Sequence, residues 1–349
     1  MSGEMNTEQM MDYLYNLPDQ FEHCLKLNFD FAESYPREYQ NLVISGLGGS
    51  AIGGDILRTY ALSQASLPLL VNRGYDCPAF VGSKTLFLAV SYSGNTEETL
   101  SSYRQARAQG AAIICISSGG ELETLAGRDG YALLKIPSGL VPRAATGLLF
   151  APAALLLEKL GILKGVKTDI EETVAVLKNL RQTLKPDIDI ANNQAKSIAA
   201  KMKATIPIVW GTTGFSEVAA LRWKAQINEN AKSPAYYNTF PELNHNEIVG
   251  FESPADLLAK LSLIILQDEY DHPQVKKRIA ISRQIVKERV KEIIEVNSQG
   301  QSWLARFYSL CYVGDYASTY LALEYGINPT PVKVIDYLKA ELAKGIKDK

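Results

Sequence analysis

At roughly 150 residues per domain, a chain of 349 residues is expected to hold two domains. Its 46% hydrophobic and 21% charged residues place it among globular chains and exclude the disordered, fibrous and low-complexity classes. The 36 Lys and Arg against 38 Asp and Glu leave a formal charge of −2, so no broad basic field exists to hold nucleic acid or an anionic membrane.

Residues 1–11 carry Glu4 and Glu8, lack a basic start and hold no long apolar run, so no secretory leader is expected there. Residues 42–45 form a short apolar run that breaks into Gly46-Leu47-Gly48-Gly49-Ser50-Ala51-Ile52-Gly53-Gly54-Asp55, with helix-compatible sequence following to Leu62. That pattern is a strand, a glycine turn and a helix. Residues 67–71, 85–90 and 111–116 read as further strands, with a helix over 96–109 between the last two. Strands separated by single helices imply parallel pairing in a layered α/β sheet.

The longest apolar stretch, 147–157 with Pro152 inside it, falls short of the ~20 residues a membrane helix needs, so a cytoplasmic location without a membrane partner is expected. Residues 155–203 are helical and charged, punctuated by Lys185-Pro186-Asp187. A second pass then begins at Ile206. Residues 207–210 form a strand, Gly211-Thr212-Thr213-Gly214 opens a helix running to about Asn228, and 261–266 and 293–297 supply later strands. The halves read as a degenerate duplication of one α/β unit. Residues 275–295 hold seven Lys or Arg, with Ile279, Val286, Val290 and Ile293 at helical spacing and Glu288, Glu292 and Glu295 interleaved. A solvated amphipathic helix fits this pattern better than a nucleic-acid patch.

Cys24, Cys77, Cys115 and Cys311 are scattered singly, and His23, His245 and His272 have no second histidine within helical ligand spacing. Buried or incidental thiols and no metal site are the expectation.

Five places carry chemistry. Gly46-x-Gly48-x-x-Ala51 satisfies a loose dinucleotide fingerprint, which also expects an acidic residue about 20 positions on. The next strand ends instead in Asn72-Arg73, which weakens an NAD reading and leaves an NADP-type one to Arg73. The bland alternative is a glycine turn made for close helix packing. Ser50, at a helix start beside Gly48 and Gly49, suits an anion or a sugar hydroxyl. Second, Ser91-Tyr92-Ser93-Gly94-Asn95-Thr96-Glu97-Glu98-Thr99 stands where a strand gives way to a helix. Hydroxyls, backbone N–H groups and the positive helix end converge there as a phosphate monoester requires. A capping box explains Asn95 and Glu98 but leaves Ser91, Ser93 and Thr96 without a role.

Third, Val218, Leu221 and Ala225 recur at steps of three and four, and a further step of four lands on Glu229. Its carboxylate is expected on the inward face near the helix C-terminus, where burial and the dipole raise the pKa toward that of a general base. A frayed helix end with Glu229 in water is the alternative. Fourth, His245 follows a short polar loop and is a candidate acid or base, unless Asn244-x-x-Glu247 caps a helix and leaves it incidental. Arg143 stands alone in the apolar stretch 141–154, a setting that calls for an anionic partner.

Gly46-Leu47-Gly48-Gly49-Ser50, the segment from Ser91 to Thr99, Pro142-Arg143-Ala144-Ala145, the run 228–232, Asn244-His245-Asn246-Glu247 and Asn328-Pro329-Thr330-Pro331-Val332 through Lys339 together resemble the bifunctional phosphoglucose/phosphomannose isomerases, within the sugar isomerase (SIS) domain superfamily. The resemblance spans nearly the whole chain. It implies an N-terminal SIS domain over 1–155, a C-terminal SIS domain over 156–330 and a C-terminal helix over 331–349. It also implies a homodimer and the metal-free, cofactor-free interconversion of glucose 6-phosphate or mannose 6-phosphate with fructose 6-phosphate. Carried over by position, Ser91, Ser93 and Thr96 hold the phosphate, with Gly48, Gly49 and Ser50 beside them. Glu229 moves the proton between C2 and C1 through a cis-enediol, and Arg143 stabilises the enediolate. His245, donated across the subunit interface, and Lys339 assist ring opening, and Thr330 contributes to acceptance of both C2 epimers. Other readings are a non-catalytic SIS module that senses sugar phosphate and an NADP-dependent dehydrogenase.

Overall fold

The structure is a computed structural model that describes residues 8–35, 38–342 and 344. The expectation about a leader therefore rests largely on residues outside the described ones, as does the end of the C-terminal helix beyond Lys344.

The apolar runs form two parallel sheets. The first contains β1 (Asn41–Ser45), β2 (Leu69–Asn72), β3 (Thr85–Ser91), β4 (Ala112–Ser117) and β5 (Ala132–Lys135), in the order β2-β1-β3-β4-β5. The second contains β6 (Ile206–Thr212), β7 (Tyr236–Phe240), β8 (Leu261–Gln267) and β9 (Glu292–Asn297), in the order β7-β6-β8-β9. Strand for strand, β7-β6-β8-β9 repeats β2-β1-β3-β4. The duplication read from the sequence is therefore a duplication of topology. In each sheet the chain crosses to opposite sides of its first strand, and a crevice opens at the carboxyl ends of the strands, where α/β proteins bind ligands.

Helices α1 (Glu8–Tyr15) and α2 (Leu17–Cys24) precede the first sheet, and α3 (Gly49–Ala61), α4 (Glu97–Ala108) and α5 (Gly120–Asp129) connect its strands. Then come α6 (Thr146–Lys159), α7 (Val166–Leu184) and α8 (Gln194–Met202). The second half carries α9 (Glu217–Asn230), α10 (Ala255–Leu258), α11 (Pro273–Val286), α12 (Trp303–Glu324) and α13 (Lys333–Leu342). The expected division at residue 155 falls inside α6.

Alternation along the strands sends side chains to two faces. Leu42, Ile44, Leu86 and Leu88 enter the same large core as Val209, Ile264 and Leu266 of the second sheet, while Val43, Phe87 and Ala89 enter a separate one. The two sheets thus back onto one shared interior. Its centre is α12, buried along every residue from Leu304 to Ala322, with its buried charged side chains, Arg306 and Asp315, held in ion pairs. Gly314 permits this packing, because a Cβ there would meet the ring of Trp223, whose Nε1 donates to the Leu310 carbonyl at 2.9 Å. No helix among the described residues is long and apolar enough to cross a membrane.

The sequence reading errs in one helix. The helix expected over 275–295 stops at Val286, and Glu292 already begins β9, whose Ile293 and Ile294 pair with Leu263 and Ile264 of β8. The apolar positions at the end of that run are strand positions that continue the helical spacing only by coincidence. Two edge strands, β5 and β7, have no counterpart among the strands expected from the sequence. In β7, Tyr236 and Tyr237 are exposed, so no apolar run marks the strand.

Candidate active site

The glycine turn after β1 brings α3 against a second segment. Gly48 adopts φ +52°, and a Cβ on Gly49 would lie 2.5 Å from the Pro142 carbonyl oxygen. Gly49 therefore lets the start of α3 touch the 3-10 turn Pro142–Ala144 that carries Arg143. Ser50 is buried and its Oγ accepts the Tyr92 N–H at 3.3 Å, which joins this turn to the loop after β3.

In that loop the Ser91 Oγ accepts the Gly94 N–H at 3.1 Å and shares a 2.9 Å hydrogen bond with Thr96 Oγ1. Ser93 is exposed, and its Oγ accepts the Asn95 N–H at 3.3 Å. Neither α3 nor α4 receives a side-chain cap; in α3 the Ser50 and Ala51 N–H groups turn back to the Leu47 carbonyl at 3.1 and 3.4 Å, whereas the first-turn amides of α4 are left for other acceptors. The capping box suggested for Asn95 and Glu98 does not form. Asn95 instead accepts the Glu121 N–H at 2.9 Å and holds the start of α5. Glu97 of the first turn of α4 accepts from the Tyr75 hydroxyl at 3.3 Å.

Arg143 is 6% exposed, and its anionic partner is Glu229, with Nη1 3.6 Å from Oε2. Nε donates to Asn230 Oδ1 at 2.7 Å, and Nη2 donates to the carbonyls of Pro329 and Thr330, each at 2.8 Å. Burial lowers the guanidinium pKa, against the opposing effect of Glu229. The carboxylate of Glu229 is only partly buried, with 32% of its side chain exposed. This corrects the inward-face reading. The deeply buried face of α9 is Ala219, Arg222, Trp223, Gln226, Ile227 and Asn230, and Glu229 flanks it.

That face carries the residues the sequence reading missed. Arg222 donates to Asp315 Oδ2 at 2.7 Å and to the Arg143 carbonyl at 3.0 Å. Gln226 donates to Asp315 Oδ1 at 2.9 Å, and Asn230 donates to Ser318 Oγ at 3.0 Å. The stripe Arg222, Gln226, Asn230 recurs at steps of four in the sequence, and buried polar groups at that spacing need partners. They find them on α12, and together they fix both the backbone and the side chain of Arg143.

Other expected residues lie elsewhere. His245, itself exposed, ends the 3-10 turn Glu242–His245, where its side chain has no hydrogen bond among the described residues. The suggested cap at Asn244 is absent. Asn246 instead accepts the Glu247 N–H at 2.6 Å, and Glu247 accepts from Trp210 Nε1 at 2.6 Å. Lys339 lies on α13, of which no residue is buried. The structure thus joins Gly48, Gly49, Ser50, Ser91, Ser93, Thr96, Arg143 and Glu229 in one continuous set within a chain, and leaves His245 and Lys339 exposed. Arg73 is paired with Asp55, so the guanidinium needed for an NADP-type phosphate already has a carboxylate partner.

Two parallel α/β units, with uncapped helix starts ringed by hydroxyls beside a guanidinium–carboxylate pair, define a protein of the SIS type. A family profile, bacterial phospho-glucose isomerase C-terminal SIS domain, matches residues 191–342. The bifunctional phosphoglucose/phosphomannose isomerase of Caldicellulosiruptor bescii is 48% identical over 97% of this chain and 100% of its own length. That of Aquifex aeolicus is 36% identical over 88% of this chain and 91% of its own. The chain belongs to the bifunctional phosphoglucose/phosphomannose isomerase family, a family of isomerases. The fold is shared more widely. The C-terminal domain of glucosamine-fructose-6-phosphate aminotransferase from Francisella tularensis superposes with a TM-score of 0.72 at 16% identity, covering 92% of this chain and 98% of that one.

Proposed function

We propose that the protein interconverts glucose 6-phosphate and mannose 6-phosphate with fructose 6-phosphate through a cis-enediol, with Glu229 as the base. The observation that carries this reading is the Arg143–Glu229 pair, set 3.6 Å apart beside the hydroxyl loop. Proton abstraction next to a carbonyl needs a placed carboxylate and a cation near the oxygen on which charge develops. Ser50, Ser91, Ser93, Thr96, the Gly49 N–H and the N-terminal amides of α4 would hold the phosphate, which anchors the sugar. With the phosphate fixed, C1 and C2 reach toward Glu229, and Arg143 faces their oxygens. Glu229 takes the proton from one carbon and returns it to the other.

Thr330 fits the role proposed near C2, since its Oγ1 is buried without a partner among the described residues and its carbonyl holds Arg143. His245 would serve ring opening from the second subunit of a homodimer, assisted by Lys339. Both side chains are exposed, and α13 carries exposed Val334, Tyr337, Leu338 and Leu342 that a second subunit would cover.

Glu229→Gln tests the reading. The variant is expected to fold, to bind sugar phosphate and to lose about 10²-fold or more in kcat with both aldoses. Turnover near wild type would remove Glu229 from the mechanism. Binding without turnover by the wild-type protein would favour the sugar-phosphate sensor.

A further inference from the structure

Lys232 follows the end of α9 with φ +53°, a left-handed conformation that costs a side-chain-bearing residue and normally falls to Gly or Asn at this position of a helix end. Its ammonium donates to the Glu229 carbonyl and, at 3.0 Å, to the Pro329 carbonyl. The Pro329 carbonyl also receives Arg143 Nη2 at 2.8 Å, so two cations converge on a single oxygen. Asn228 Nδ2 donates to the Ser233 carbonyl at 2.8 Å and closes the turn around Lys232. Burial and the neighbouring Arg143 charge push the Lys232 pKa down to about 8, against the pull of Glu229. Lys232 therefore costs the fold stability at its backbone. Local strain of this kind collects where function demands it.

From this geometry we infer that Lys232 is a positioning residue for the isomerisation: its ammonium staples the helix end that carries Glu229 to the Pro329 carbonyl that also holds Arg143. The inference rests on the proposed roles of Glu229 and Arg143. Without the staple, the last turn of α9 loses the partner of its Glu229 carbonyl, and the carboxylate is free to shift relative to the guanidinium. A displacement of about 1 Å at a reacting centre can cost ~10²-fold in rate. The phosphate loop lies on other elements, so substrate binding should change little.

Lys232→Gly separates this role from a purely structural one, because glycine relieves the left-handed strain and removes the ammonium. Steady-state kinetics with glucose 6-phosphate and mannose 6-phosphate are expected to show kcat reduced about 10-fold or more, the scale of a lost charged hydrogen bond. KM should stay within about threefold and thermal melting should occur no lower than in wild type, since only the strained, charged side chain is lost. Lys232→Arg, which keeps a cationic donor, should recover most of the loss. A Lys232→Gly enzyme with wild-type kcat overturns the proposal. So does a parallel fall in kcat and melting temperature that Lys232→Arg fails to restore. Glu229→Gln assayed alongside distinguishes the two levels. An active Glu229→Gln enzyme overturns both, whereas an inactive one beside an unaffected Lys232→Gly enzyme overturns the Lys232 inference alone.

Discussion

The two halves of the chain share a strand order, yet the crevices at the carboxyl ends of their sheets are furnished with opposite chemistry. In the first half, the starts of α3 and α4 carry no side-chain caps, and Ser50, Ser91 and Thr96 stand around them. In the second half α9 likewise starts without a side-chain cap, but the loop before it is closed on itself and the start of α11 is capped. Ser216 Oγ accepts the Thr212 N–H at 2.8 Å, Glu217 accepts the Gly214 N–H at 3.2 Å, and His272 accepts the Gln274 N–H at 3.1 Å. Beyond β8, Asp271 accepts the Asp268 N–H at 3.0 Å, and Asp268 accepts from Ser298 Oγ at 2.5 Å and Arg306 Nε at 3.0 Å. At the end of β8 the second crevice is thus occupied by the chain's own carboxylates. Helix-end amides attract anions wherever they occur, and what separates a binding site from a structural joint is whether the chain supplies the anion itself. The second half contributes instead through the far end of α9, which delivers Glu229 to the first half's site.

Substitutions that treat the halves alike should therefore give unlike results. The largest effect on stability is expected from Asp268→Ala, which strands Arg306 beneath Tyr270 and removes a buried ion pair. Denaturant unfolding should show a loss of roughly 3–5 kcal/mol, with turnover per folded molecule unchanged. The opposite profile is expected of Arg143→Met, a fall in kcat of roughly 10²–10³-fold, the scale of a lost oxyanion donor. If Asp268→Ala abolished turnover in molecules shown to be folded, the contrast between the crevices would fail. Next comes Ser91→Ala, which should raise KM for the sugar phosphates about 10-fold, as expected for a lost hydrogen bond to a charged group, and leave melting close to wild type.

The smallest effect concerns pH. Burial raises the pKa of Asp271 above its unfolded value, against the hydrogen bond from the Asp268 N–H. The folded protein then holds the proton more tightly, so the stability from this group is present below the unfolded value of about 3.9 and is lost as pH rises through the folded value. Asp271→Asn keeps the acceptor and removes the charge. It should melt above wild type at neutral pH, with the gain disappearing toward pH 4 and below. A gain that persisted unchanged at the acid end would contradict this assignment.

The first half's site was more legible in the sequence than the network behind it, for a physical reason. Gly49, Ser50 and Ser91 to Thr96 are consecutive residues at strand ends, so a linear pattern carries their geometry. Arg143 also announced itself, as a lone charge in an apolar run. The support for Arg143 comes from Asn230, Arg222 and Asp315, brought together by the packing of α9 on α12, and no local pattern joins positions so far apart. The spacing argument for Glu229 places it on the wrong face, because the buried stripe of α9 is partly polar and a hydrophobic count passes over it. β7 stayed hidden for a related reason, since an edge strand with exposed tyrosines lacks the apolar run that marked β1, β3 and β8.

In the proposed reaction one carboxylate, held beside Arg143 at the first half's crevice, moves the substrate proton. Isomerisation of fructose 6-phosphate in D2O, followed by NMR at C2 of the aldose products, tests it most directly. Wild-type enzyme is expected to place solvent deuterium at C2 of both glucose 6-phosphate and mannose 6-phosphate, and Glu229→Gln to lose both incorporations together. Incorporation by Glu229→Gln at the wild-type rate would contradict the account.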